Sequence, residues 1–191
     1  MSDMPDLYAL PADLPVPVDD GAADHLAGAR IPALALPSTR GGAVDLAAAA
    51  AGRAVFYCYP RTGTPGAPLP TGWDAIPGAR GCTPEACGFR DRHADLAALG
   101  ATVFGISTQT TAEQREFAAR VHLPFALLSD AALGLARALC LPTFAVDGRT
   151  LHRRLTLIAE GGVVAKVFYP VFPPDQHAAE VVAWLTKRAT G

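Results

Sequence analysis

Short apolar runs alternate with helix-patterned stretches along most of this 191-residue chain, and that alternation leaves few architectures open. Ala54 to Tyr59 (AVFYCY) is an apolar run ended by Pro60 and reads as a buried strand. Residues 84–99 set Ala86, Phe89, His93, Leu96 and Leu99 at helical spacing, with Gly100 as a stop. Thr102 to Ser107 reads as a second strand. Thr111 to Gln114 has capping-box form and opens a helix reaching about Val121. Phe125 to Ser129 is a third strand, followed by a helix from about Asp130 to Leu139. Leu155 to Ala159 and Val163 to Phe168 flank Glu160-Gly161-Gly162 as a hairpin, and 175–188 form a closing helix. Strands alternating with helices predict an α/β fold: a mixed, mostly parallel central sheet with helices on both faces.

The first 29 residues follow another rule. They carry six Asp and no Lys or Arg, with Pro5, Pro11, Pro15 and Pro17, and read as an acidic, extended N-terminal arm. Residues 30–191 are then one domain with a sizeable core. A net charge of -2 lacks the basic face that nucleic acid requires. No apolar run approaches the ~18 residues of a membrane span. Met1 to Asp6 has no basic or apolar leader character, so the expected compartment is the cytoplasm.

The chemistry concentrates in Gly81-Cys82-Thr83-Pro84-Glu85-Ala86-Cys87. Thr83 suits a helix cap and Pro84 the first helical position, which places Cys82 at the helix entrance. There the dipole and free N–H groups favour a thiolate. Cys87 lies five residues on. On an α-helix the two Cα atoms stand about 8–9 Å apart, whereas a disulfide needs less than about 7 Å. The pair therefore closes only if the first turn unwinds. A zinc site would need four ligands, and no second Cys or His pair stands at ligand spacing. Two inert structural thiols are the other reading of the spacing. Cys58 and Cys140 read as small buried apolar residues, and the five histidines form no relay.

Cys82-Thr-Pro-Glu-Ala-Cys-Gly-Phe-Arg-Asp91 resembles the CTxEACxFRD segment of the Q-type peroxiredoxins, the bacterioferritin-comigratory-protein group. Ile31 to Pro37, Phe56 to Pro60, Phe104 to Ser107, and Leu123-Pro124-Phe125 with Leu128-Ser129-Asp130 resemble further stretches, so the similarity spans about Ile31 to Leu185. The resemblance implies a thioredoxin-like fold and a peroxidase without a cofactor or metal. Its peroxidatic thiol would be Cys82, its resolving thiol Cys87, its substrates hydrogen peroxide and organic hydroperoxides, and its reductant a thioredoxin- or glutaredoxin-type protein. It leaves monomer and homodimer equally open.

One departure from the family pattern affects the site. The family spacing Pro-x-x-x-Thr-x-x-Cys is met by Pro60 and Thr64 only up to Gly66; residues 67–81 then intervene before Cys82. Turn-forming Pro68, Pro70, Gly72, Pro77 and Gly78 suggest an extruded loop that leaves Thr64 and Pro60 in their roles. The rival gives the Thr64 role to Arg80 or to a backbone group. Trp73 would either plug the loop onto the body or cover the site. The family's fixed arginine corresponds to Arg154, ahead of Leu155-Thr156-Leu157-Ile158, while the neighbouring Arg153 would face the opposite way. Two other functions fit less of the sequence. A thiol–disulfide oxidoreductase on the same fold would carry Cys-x-x-Cys, which is absent, and a non-enzymatic interaction module would leave the cysteine pair idle.

Overall fold

The computed structural model describes residues 6–190, so the start of the arm, with Pro5, lies outside the described residues. After a short antiparallel pair, β1 (Ala35–Pro37) and β2 (Ala43–Asp45), comes the central strand β3 (Arg53–Cys58), whose residues from Ala54 onward are all buried. It pairs parallel with β4 (Ala101–Ser107) on one side and antiparallel with β8 (Leu155–Glu160) on the other. β5 (Ala126–Ser129) extends the sheet beyond β4, and β9 (Val163–Phe168) extends it beyond β8, giving the order β5-β4-β3-β8-β9. Four strands run one way and β8 runs against them, which follows from the pairing directions. The expected mixed sheet is therefore present.

Strand alternation divides the core into two halves. Phe56 and Cys58 face a cluster with Leu26, Leu46, Leu135 and Leu139. Val55, Tyr57 and Tyr59 face a second cluster with Cys82, Phe89, Phe117, Val181 and Leu185. Helices α1 (Leu46–Ala49) and α5 (Gly134–Ala138) thus cover one face. Covering the other are α2 (Cys82–Asp91), α3 (His93–Ala98), α4 (Thr111–Arg120) and α6 (His177–Thr190).

Several boundaries differ from the sequence expectations. The helix expected over 84–99 is two helices. It breaks at Arg92, which leaves helical backbone space (φ -103°, ψ 11°) while Leu96 stays fully buried. α2 begins at Cys82 with Gly81 as its cap, so Thr83 lies inside the first turn and does not cap it. The capping box sits one residue earlier than expected, between Thr110 and Glu113. The helix expected from Asp130 shrinks to α5, because the Asp130 carboxylate accepts from the Leu135 and Ala136 N–H groups at 2.9 and 3.0 Å. The residues it spans form a turn, with Leu133 in the left-handed region.

A second hairpin, β6 (Thr143–Val146) and β7 (Arg149–His152), was not expected from the sequence. It turns at Asp147-Gly148, both with positive φ. This hairpin holds the inserted segment. Trp73 is only 4 % exposed and packs against Phe144 (ring centroids 6.2 Å apart) and Leu151. The insertion is therefore anchored on the body at Trp73, and its far end, Ala79 to Gly81, is buried. Extrusion describes only its exposed tip. At the other end of the chain, the arm is built into the fold from Ala23 onward. Leu26 is fully buried, and residues 28–31 hydrogen-bond to Gly162 and Val164 at the sheet edge.

Candidate active site

Cys82 is the first residue of α2 and is 4 % exposed. Its sulfur faces the Arg154 guanidinium, with Nη2 at 3.1 Å. Arg154 itself is buried, at the end of the β7–β8 connection, and every one of its nitrogens is engaged. Nε donates to Gly78 O at 3.3 Å, and Nη2 donates to Ala79 O at 3.2 Å and Arg80 O at 3.1 Å. Nη1 donates to the Glu85 carboxylate one turn along α2 from Cys82. Three carbonyls from the end of the insertion thus hold the guanidinium. The segment that breaks the family spacing is what aims the arginine.

A cation, a carboxyl and a thiol share this dry site. Burial pushes the Cys82 thiol up, the Arg154 charge pulls it down, the Glu85 charge pushes it up, and the Arg61 backbone N–H pulls it down. Burial dominates, so with α2 closed the thiol stays above its ordinary range, higher than the helix entrance alone would suggest. Burial likewise raises Glu85 to about 7 against the pull of Arg154. Its second oxygen is buried without a partner, which further favours the protonated acid. One buried cation balances one anion here. When Glu85 holds the proton, the charge of Arg154 belongs to the Cys82 thiolate.

Cys87 is half-buried on α2, and both Cys82 and Cys87 are free thiols. Helix geometry keeps their Cα atoms about 8–9 Å apart while the turn is intact.

The Redoxin family matches residues 26–183 of this chain. A bcp-type peroxiredoxin of Coxiella burnetii is 32 % identical over 162 residues, covering 83 % of this chain and 97 % of its own. The chloroplastic peroxiredoxin Q of Arabidopsis thaliana is 29 % identical, covering 83 % of this chain and 66 % of its own. The chain belongs to the Q-type peroxiredoxins. Among solved structures, the peroxidoxin BcpB of Mycobacterium tuberculosis superposes with a TM-score of 0.68 at 27 % identity, covering 84 % of this chain and 96 % of its own. The peroxiredoxin Q of Xanthomonas campestris superposes at 0.65, covering 93 % and 99 %, and its 24 % identity speaks for the fold alone. This peroxiredoxin is accordingly a thiol peroxidase on a thioredoxin-like fold.

The structure brings Cys82 and Arg154 together and sets Arg154 between Cys82 and Glu85. Pro60 is buried at the end of β3, next to Arg61, whose backbone N–H lowers the Cys82 thiol. Thr64 stands elsewhere. Its side chain is exposed, its carbonyl accepts from Ala67 N–H, and among the described residues it makes no hydrogen bond to Cys82. The buried threonine of this loop is Thr62, locked by Gln109 at 2.8 Å. The Arg61 backbone N–H, not the Thr64 side chain, is thus the group of this loop that lowers the Cys82 thiol, in line with the backbone alternative the sequence left open. Arg80 is occupied with Asp74 and with the arm, not with the sulfur. Cys58 is fully buried in β3, which pushes its thiol far up. Cys140, expected buried, is exposed: it follows the Leu139 cap of α5 with φ 49°, a left-handed turn that takes the chain out of the helix.

Proposed function

We propose that the protein reduces hydrogen peroxide and organic hydroperoxides through a sulfenic acid on Cys82 and an intramolecular disulfide with Cys87. The observation that carries this reading is the 3.1 Å contact between Arg154 and the Cys82 sulfur at the start of α2. The Cys82 thiolate attacks the terminal oxygen of the peroxide and the O–O bond breaks. The departing alkoxide or hydroxide takes a proton and leaves as alcohol or water. Arg154 steadies the negative charge on sulfur and on the breaking bond. The Arg61 N–H, next to Pro60, favours the thiolate, and the exposed Thr64 lies outside the contacts of the sulfur. Cys87 then attacks the sulfenic sulfur, the S–S bond forms and water is released. Helix spacing requires the first turn of α2 to open for this step.

A thioredoxin- or glutaredoxin-type dithiol returns both cysteines to thiols, so no cofactor enters the cycle. Such a reductant suits a reducing compartment, and the proposed one is the cytoplasm. It would work there as a monomer or homodimer, as an atypical 2-Cys peroxiredoxin. Peroxide consumption with a thioredoxin system tests the assignment. The Cys82→Ser variant should lose turnover entirely. The Cys87→Ser variant should manage one turnover, accumulate sulfenic acid at Cys82 and climb to sulfinic acid under excess peroxide. A Cys82→Ser variant that turns over at the parent rate would remove Cys82 as nucleophile, and a fully active Cys87→Ser variant would hand resolution to another thiol.

A further inference from the structure

The segment that must open for the disulfide is the segment the N-terminal arm sits on. Gly81, the cap of α2, has φ +102°, and a methyl group placed there would run into Leu10 of the arm and into the Pro174 ring. Gly63, three residues after Pro60, is covered in the same way by Leu7. The Asp6 carbonyl accepts from Arg80 Nη2 at 2.7 Å, and the Arg80 carbonyl in turn accepts from Arg154. Tyr8 lies beside the guanidinia of Arg90 and Arg120, which with Asp91 are the charges that act on Cys87. Further along, Pro17 touches Gly78, and Pro17 and Val18 share one cleft with Gly78 and Arg154. Arm residues 6–18 thus lie against Gly81 at the start of α2, beside Arg90 and Arg120, and against Gly78 and Arg80, two of the residues whose carbonyls hold Arg154.

These contacts are weak and local. Leu7 and Leu10 are half-buried, and Tyr8 is 54 % exposed. It is therefore among the first parts of the molecule able to lift. Unwinding of α2 at Gly81 removes the surface that Leu10 rests on, so helix opening and arm release favour each other reciprocally.

We propose that arm residues 6–18 are a redox-released strap: docked across the first turn of α2 while Cys82 is a thiol or sulfenic acid, and displaced when the Cys82–Cys87 disulfide forms. The proposal rests on the two-cysteine cycle above. By holding the turn closed, the strap lengthens the life of the sulfenic acid. A second peroxide can then oxidise it to sulfinic acid, losing its own O–O bond and leaving as water or alcohol. The strap therefore sets how the oxidised enzyme divides between disulfide and overoxidation.

Hydrogen exchange by mass spectrometry on the full chain tests this. The disulfide is introduced with diamide, so the comparison does not depend on peroxidase activity. Chymotrypsin should cut after Leu7, Tyr8 and Leu10 about tenfold faster or more in the disulfide form than in the thiol form, read by the same mass spectrometry. In the reduced chain, the double variant Leu7→Ser/Leu10→Ser should raise exchange over residues 82–87 about tenfold, the change expected from losing two half-buried leucine contacts. Under excess peroxide the same variant should carry a smaller sulfinic fraction at Cys82. Unchanged cleavage within 6–18 in chains that carry the disulfide would overturn the strap. So would unchanged exchange over 82–87 in the reduced variant. A chain that forms no disulfide with peroxide but forms it with diamide would fail the peroxidase reading and leave the strap result standing.

Discussion

At the scale of single residues, Arg154 sets the character of the site. Its guanidinium meets the Glu85 carboxylate, three backbone carbonyls and the Cys82 sulfur, all buried. Arg154→Lys keeps the charge but cannot reproduce that fork, so peroxide turnover should fall sharply while the fold persists. Arg154→Met strands Glu85 in the core and should cost about 3–5 kcal/mol of stability if the carboxyl stays charged, less where it protonates. Urea melts of both variants, set beside their initial rates, separate the two effects. Glu85 works against the nucleophile because its charge raises Cys82. Glu85→Gln should therefore lower the pH at which Cys82 reacts with iodoacetamide. It should also remove a stability dependence. The carboxyl is raised from 4.5 to about 7 in the fold, so its contribution is complete below 4.5 and fades as pH rises through about 7. An alkylation profile unmoved by Glu85→Gln would contradict the opposition of Glu85 to the Cys82 thiolate.

At the scale of elements, the insertion and the β6–β7 hairpin act as one unit. Trp73 pins the insertion to Phe144 and Leu151, and the same segment then supplies the carbonyls of Gly78, Ala79 and Arg80 to Arg154. Trp73→Ala should cost about 3–5 kcal/mol if the cavity does not collapse. It should also slow peroxide reduction, although Trp73 touches neither Cys82 nor Arg154. A variant that is destabilised yet reacts at the parent rate would show that the carbonyls hold Arg154 without this anchor. The same region marks where sequence reading stopped. The strands of the sheet were legible because β3 and β8 are continuous apolar runs, and the paired cysteines because of their motif. The Asp147-Gly148 turn carried a hairpin signal that was available in the sequence and passed over. The carbonyl collar and the Arg61 N–H left no trace in side-chain identity, since any residue supplies a backbone group. The displacement of Thr64 depends on how fifteen inserted residues are routed, and a local pattern does not encode that.

At the scale of the whole molecule, the sheet separates two cores, and the reactive thiol belongs to the one shared by α2, α4 and α6. His177 ties α6 to this core. It is buried, its Nε2 lies 2.8 Å from Thr156 Oγ1, and its ring meets Phe89 and Phe168 edge-on. Burial, with the nearby Arg154 charge, lowers it from 6.5 to about 3. The folded state therefore refuses a proton that the unfolded chain accepts. Stability from this group is complete above 6.5 and is lost as pH falls toward 3. His177→Gln should flatten the acid limb of a plot of urea midpoint against pH, and an unchanged limb would assign acid sensitivity elsewhere. No described helix is long and apolar enough to cross a membrane.

Peptide mapping of the reduced protein after one equivalent of hydrogen peroxide tests the central claim most directly. The account predicts a single disulfide joining Cys82 to Cys87, with Cys58 and Cys140 recovered as thiols. Recovery of Cys82 as an unmodified thiol, or oxidation that begins at the exposed Cys140, would contradict it.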